Sequence, residues 1–152
     1  MSYEFDGGAP ARRVVQNIPA GALAQAALRV LVVDRNPEML DLLGTLLEHH
    51  GCAVACAASA DQALALAPEF QPHAVCSGLV LGGVDGFTLA SRLRALPETA
   101  ASLLIAVSGR HHPDDKASAR AAGFDHFVVK PFILDEVVAP LLALRQTLNL
   151  SA

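Results

Sequence analysis

From Arg29 onward the chain alternates between two hydrophobic patterns. Val30-Leu31-Val32-Val33 is a short continuous apolar run rich in β-branched residues, as expected for a strand buried on both faces. Met39, Leu40, Leu43, Leu46 and Leu47 then recur at helical spacing and form one apolar stripe. Asn36 is placed to cap that helix, Pro37 suits its first turn, and Gly51 ends it. The alternation repeats four times. Further strands are predicted at Ala53–Ala57, Ala74–Ser77, Leu103–Val107 and Phe127–Val129, the first of these weak in β propensity. Helices are predicted over Ala60–Ala67 (capped by Ser59, stopped by Pro68), Phe87–Leu96, Pro113–Ala122 (ended by Gly123) and from near Leu134. Pro140 falls inside the last pattern, so a kink or break is expected there. Five strands interleaved with five helices predict an α/β domain: a doubly wound parallel sheet with helices on both faces.

The 152 residues are enough for one domain with a proper core. No apolar run approaches the roughly 20 residues needed to cross a bilayer, although 53% of the chain is hydrophobic. Met1–Gly8 carries Glu4 and Asp6 and lacks the pattern of a secretory signal. The net charge of −4, without a basic stripe, argues against a nucleic-acid surface. The expected layout is a largely flexible lead-in over 1–27, a domain over 28–148 and a tail over 149–152, with no room for a second output domain. Within the lead-in, a short helix is expected over Ala22–Ala27, and Arg12-Arg13-Val14-Val15 is the segment suited to a partner contact.

Cys52 and Cys56 lie four apart in one apparent strand, about 13 Å, too far to bridge. With Cys76 they read as reduced core thiols of a cytoplasmic protein. His111 and His112 follow the fourth strand, whereas His49, His50, His73 and His126 fall near the opposite rim. None has a ligand spacing, so solvated histidines and no metal site are expected.

In open α/β sheets, ligands collect beyond the carboxyl ends of the strands. The residues there are Asp34 and Arg35, then Gly78, then Ser108 and Gly109, then Lys130-Pro131-Phe132. Together with Asp85-Gly86-Phe87 and Ala122-Gly123-Phe124, these pieces occur in an order and spacing that resemble the receiver domain of two-component response regulators, from about Arg29 to Leu148. The resemblance implies a flavodoxin-like sheet of order 2-1-3-4-5. It also implies an acidic pair after the first strand and a phosphoacceptor aspartate after the third, which together hold magnesium. A hydroxyl and a lysine would contact the phosphoryl group. Asp34, Ser108 and Lys130 match their positions, and Phe127 matches an aromatic that turns inward on activation. Arg35 stands where the second acid belongs and Gly78 where the acceptor belongs, while Gly82 replaces a common proline.

Glycine has no side chain with which to attack a phosphoryl donor or hold a metal. One carboxylate beside two cations leaves the pocket net positive, so magnesium binding is expected to be weak or absent, with no other cofactor. Arg35 is expected to reach Asp34 or the space beside Gly78. Ser77 is a poor substitute nucleophile, because neighbouring strand residues face opposite ways, and Asp85 reads as a helix cap. The resemblance implies a non-enzymatic, stand-alone signalling module that acts by protein–protein contact. Its expected partners are a histidine kinase, another regulator, a second-messenger enzyme or a second copy, with neither nucleic acid nor membrane. The alternatives are a receiver phosphorylated at an unusual residue, or an anion- or small-ligand-binding module. No P-loop or dinucleotide-binding glycine motif supports the last.

Overall fold

The computed structural model describes residues 27–109 and 112–150. The Arg12–Val15 segment, His111 and most of the expected Ala22–Ala27 helix lie outside them. Strands β1 (Arg29–Val33), β2 (Ala53–Ala57), β3 (Ala74–Ser77), β4 (Leu103–Ser108) and β5 (His126–Val129) form one sheet in the order β2-β1-β3-β4-β5. Every pairing is parallel, and Val32 sits between Cys56 and Cys76 in register. Helices α1 (Pro37–His49), α2 (Ala60–Phe70), α3 (Gly86–Ala95), α4 (Pro113–Ala122) and α5 (Leu134–Thr147) alternate with them.

The apolar strand side chains divide between two cores, as period-two alternation requires. Leu31, Val33, Val75 and Leu104 meet the alanine-rich faces of α2, α3 and α4. Val30, Val32, Val54, Ile105 and Val107 meet Leu40, Leu43 and Leu47 of α1 and Val137, Val138 and Leu141 of α5. Small residues let α2 lie close on the sheet, and they explain why the weak-propensity run Ala53–Ala57 is wholly buried as an inner-packed edge strand. Burial overrides propensity there.

Capping follows the expected residues. The Asn36 side chain accepts from the Glu38 N–H at 2.9 Å, Ser59 from Gln62 at 3.2 Å, and Asp85 from Thr88 at 2.8 Å. The two prolines differ from expectation. α2 runs through Pro68 to Phe70, and α5 continues through Pro140 without interruption to Thr147. A proline forfeits one N–H bond. In each case buried neighbours before and after the proline (Ala67 and Phe70, or Val138 and Leu141) anchor the helix. Gln71 closes α2 in the left-handed region at φ 50. Cys52 lies just before β2 rather than within it. All three cysteines are buried and none forms a disulfide, and burial pushes Cys76 up to about 12.

Candidate functional site

The site forms where β1, β3, β4 and β5 end. Asp34 follows β1 directly, and its N–H donates to the Ala57 carbonyl at 3.1 Å, which extends the ladder by one residue and fixes the carboxylate at the tip. It is only 6% exposed. Its Oδ1 accepts from the Asn36 N–H at 2.9 Å, and its Oδ2 accepts from Lys130 Nζ at 2.9 Å. Gly78 extends β3 in the same way, donating to the Val33 carbonyl at 2.9 Å. Ser108 is buried at the end of β4, and its carbonyl accepts from the Lys130 N–H at 2.8 Å. That bond aligns the base of Lys130, which a cis Lys130–Pro131 peptide follows.

These residues, with Arg35 and Gly109, line a hollow of about 330 Å³. Five sequence-predicted site residues (Asp34, Arg35, Gly78, Ser108 and Lys130) therefore converge. Phe127 does not join them. It lines a separate cavity of about 350 Å³ beside α4, with Lys116 Nζ 6.0 Å from its ring centroid.

The expected reach of Arg35 to Asp34 is not made. Arg35 is exposed and forms no ion pair among the described residues, while Lys130 alone neutralises the Asp34 carboxylate. The reason is geometric. Arg35 is one residue past the ladder, where the chain turns outward to begin α1, and the carboxylate's two oxygens are already engaged. Among the described residues, no three His, Cys, Asp or Glu side chains cluster in a way that could hold a metal ion.

The space beside Gly78 is real. A Cβ built there would lie 3.4 Å from Asp34 Oδ2 and 3.6 Å from Leu81 Cδ2, ordinary contact distances. Gly86 differs sharply: a Cβ there would collide with the Gly78 carbonyl, because the Gly86 N–H donates across to Leu79 at 2.8 Å. Gly82 and Gly83 turn the intervening loop with φ +55 and +78. Ser77 is buried with its hydroxyl donating to the Gly78 carbonyl at 2.8 Å, a local bond that leaves it no nucleophilic task.

His73 departs from the expected solvent exposure, and His112, exposed as expected, also has a structural role. His112 caps α4, its Nδ1 accepting from the Asp114 N–H at 3.1 Å. His73 is partly buried, and its Nδ1 accepts from the Arg29 N–H at 2.9 Å. Burial, followed by the Arg29 charge, lowers His73 to about 4, so the ring is a neutral acceptor near neutral pH. The His73 role carries no sequence signature, since the fold brings Arg29 to it from 44 residues away, whereas the His112 cap acts locally, two residues ahead. Sequence reasoning also missed Val80, a hollow-lining residue left 44% exposed. Its place in a glycine-rich loop after a strand was the available signal.

Residues 30–141 match the model of the response regulator receiver domain. The chain is 34% identical over 116 residues to the DNA-binding dual master transcriptional regulator RpaA of Synechocystis, covering 76% of this chain and 48% of that protein. It thus spans about half of that regulator's length. The chemotaxis protein CheY4 of Vibrio cholerae shares the fold at a TM-score of 0.74 and 23% identity, covering 78% of this chain and 99% of that one. A response regulator from Burkholderia pseudomallei, solved with a phosphorylated aspartic acid, calcium and citrate, superposes at a TM-score of 0.70 and 25% identity over 80% of this chain and 70% of that one. With this sheet order and these strand-end residues, the chain belongs to the response regulator receiver domain family, the signalling modules of two-component systems rather than enzymes.

Proposed function

We propose that this receiver has lost its phosphoryl switch and signals through protein–protein contact without aspartyl phosphorylation. One observation carries the reading: Gly78 stands at the tip of β3, facing a hollow whose other residues, Asp34, Ser108 and Lys130, match the receiver pattern. The hollow has space for an acceptor side chain and none to fill it. Arg35 in place of a second acid makes the site net positive, which disfavours magnesium and removes the charge that would activate a phosphoryl donor. The partner is a histidine kinase, another regulator, a second-messenger enzyme or a second copy, met in the cytoplasm.

Incubation with acetyl phosphate and magnesium followed by intact-mass measurement tests this. No phosphoryl mass is expected. A stoichiometric, acid-labile adduct would overturn the reading. The double variant Arg35→Asp, Gly78→Asp restores both missing carboxylates, the second at a position where a Cβ meets only ordinary contacts, and it is expected to gain the adduct.

A further inference from the structure

The cavity of about 350 Å³ beside α4 and β5 shares no lining residue with the hollow at Gly78. Its volume comes from small side chains. Here α4 presents Ala117 and Ala119, whose methyls leave the half-buried Phe127 ring as the largest apolar wall, with buried Phe124 next to it. The rim is cationic. Lys116 and Arg120 stand one helical turn apart, both exposed, and like charges at that spacing repel. Neither forms an ion pair among the described residues. Asp125, the one carboxylate among the described residues that line the cavity, is already paired with Arg94 at 2.9 Å. Asp114 and Asp115 belong to the first turn of α4 and do not line it. Lys116 Nζ lies 6.0 Å from the Phe127 ring centroid, the outer limit of a cation–π contact, so ammonium and ring share one mouth without spending each other.

We propose that this cavity binds a mononucleotide, with the base against Phe127 and the phosphate held by Lys116 and Arg120. Charge selects the phosphate: two unspent cations match a phosphate monoester, which carries about −1.5 to −2 at neutral pH, and the planar guanidinium of Arg120 can engage two of its oxygens. The ring selects the base, because an aromatic side chain stacks a nucleobase through its π face. A carboxylate side chain would meet the cations but leave the ring unused. The volume lies at the lower end of small-ligand sites, which suits a single nucleotide. This site is independent of the hollow at Gly78, so it stands whether or not phosphoryl switching has been lost.

The test uses the full chain and amide-resolved NMR, titrated separately with adenosine monophosphate, adenosine and inorganic phosphate. The nucleotide is expected to move the amides of Lys116, Arg120, His126 and Phe127 along one binding curve. It should bind about tenfold more tightly than adenosine, the scale of two partly exposed ion pairs, and about tenfold more tightly than phosphate, the scale of one stacked base. Lys116→Gln and Arg120→Gln change exposed side chains, so the fold is kept. Each should weaken nucleotide binding about threefold and leave adenosine binding unchanged. Phe127→Leu should narrow the preference over phosphate. Equal affinities for nucleotide and adenosine, equal affinities for nucleotide and phosphate, shifts centred on Gly78 and Gly109 instead, or no shifts at all would overturn the inference.

Discussion

At the amino-terminal rim of the sheet, cations are locked in by backbone oxygens, whereas at the carboxyl-terminal rim a cation is left open. Arg94 donates to the carbonyls of Gly123, Ala100 and Ser102 and pairs with Asp125 at 2.9 Å. Asp125 in turn accepts from the Leu104 N–H at 2.9 Å, so one guanidinium ties α3 to the starts of β4 and β5. Arg29 donates to the carbonyls of Phe70 and Gln71, and its N–H meets His73. Ser102 and Thr99 spend their hydroxyls on the Pro72 and Leu93 carbonyls. Arg35, at the other rim, has no such oxygen cluster among the described residues, and the glycine-rich loop beside it leaves Val80 exposed. The contrast separates what holds the fold from what is available to a partner. Polar groups already satisfied inside the protein contribute to stability, while those left facing a cavity contribute to recognition.

The largest effect should come from the locked rim. Arg94→Ala removes a charged donor from several carbonyls, and a loss of about 3 kcal/mol is expected from denaturant midpoints at unchanged slope. Arg35→Ala should change the same stability by less than about 0.5 kcal/mol, as an exposed residue without partners among the described residues does. A similar Arg35→Ala loss would erase the distinction between the rims.

Two glycines of one loop sharpen it further. Gly86→Ala drives a methyl into the Gly78 carbonyl and should cost about 2 kcal/mol, whereas Gly78→Ala meets only ordinary contacts and should stay within about 1 kcal/mol. Matching losses would mean that the space at Gly78 is not free.

The smallest effect is set by pH. His73 has a folded value near 4, below its ordinary 6.5, so the folded state binds its proton less readily than the unfolded chain. Its contribution is fully present above pH 6.5 and is lost as pH falls toward 4. His73→Asn keeps an acceptor for Arg29 without titrating, so its stability should decline less steeply than wild type across that window. Parallel declines would show that His73 is not held neutral.

Hydrophobic periodicity and caps were sufficient for the element order, because Asn36, Ser59 and Asp85 act on N–H groups two or three residues away. The same local logic failed at Pro68 and Pro140, where packing against a distant sheet sustains the helix that the proline weakens. For the site, position along the chain identified which residues would meet, since every strand of a parallel sheet delivers its next residue to one rim. Which charge pairs with which was not legible. Asp34 could have taken Arg35 or Lys130, and the choice of Lys130 follows from the Ser108–Lys130 backbone bond and from the outward turn into α1.

Sequence alone determined that a carboxylate, a hydroxyl and a lysine would stand around a glycine, because strand order and side-chain chemistry are written in the residues. Only the tertiary structure decided that the lysine would silence the carboxylate and leave the arginine at the hollow without an ion pair among the described residues, because ion pairing depends on distances of a few ångströms between segments 96 residues apart.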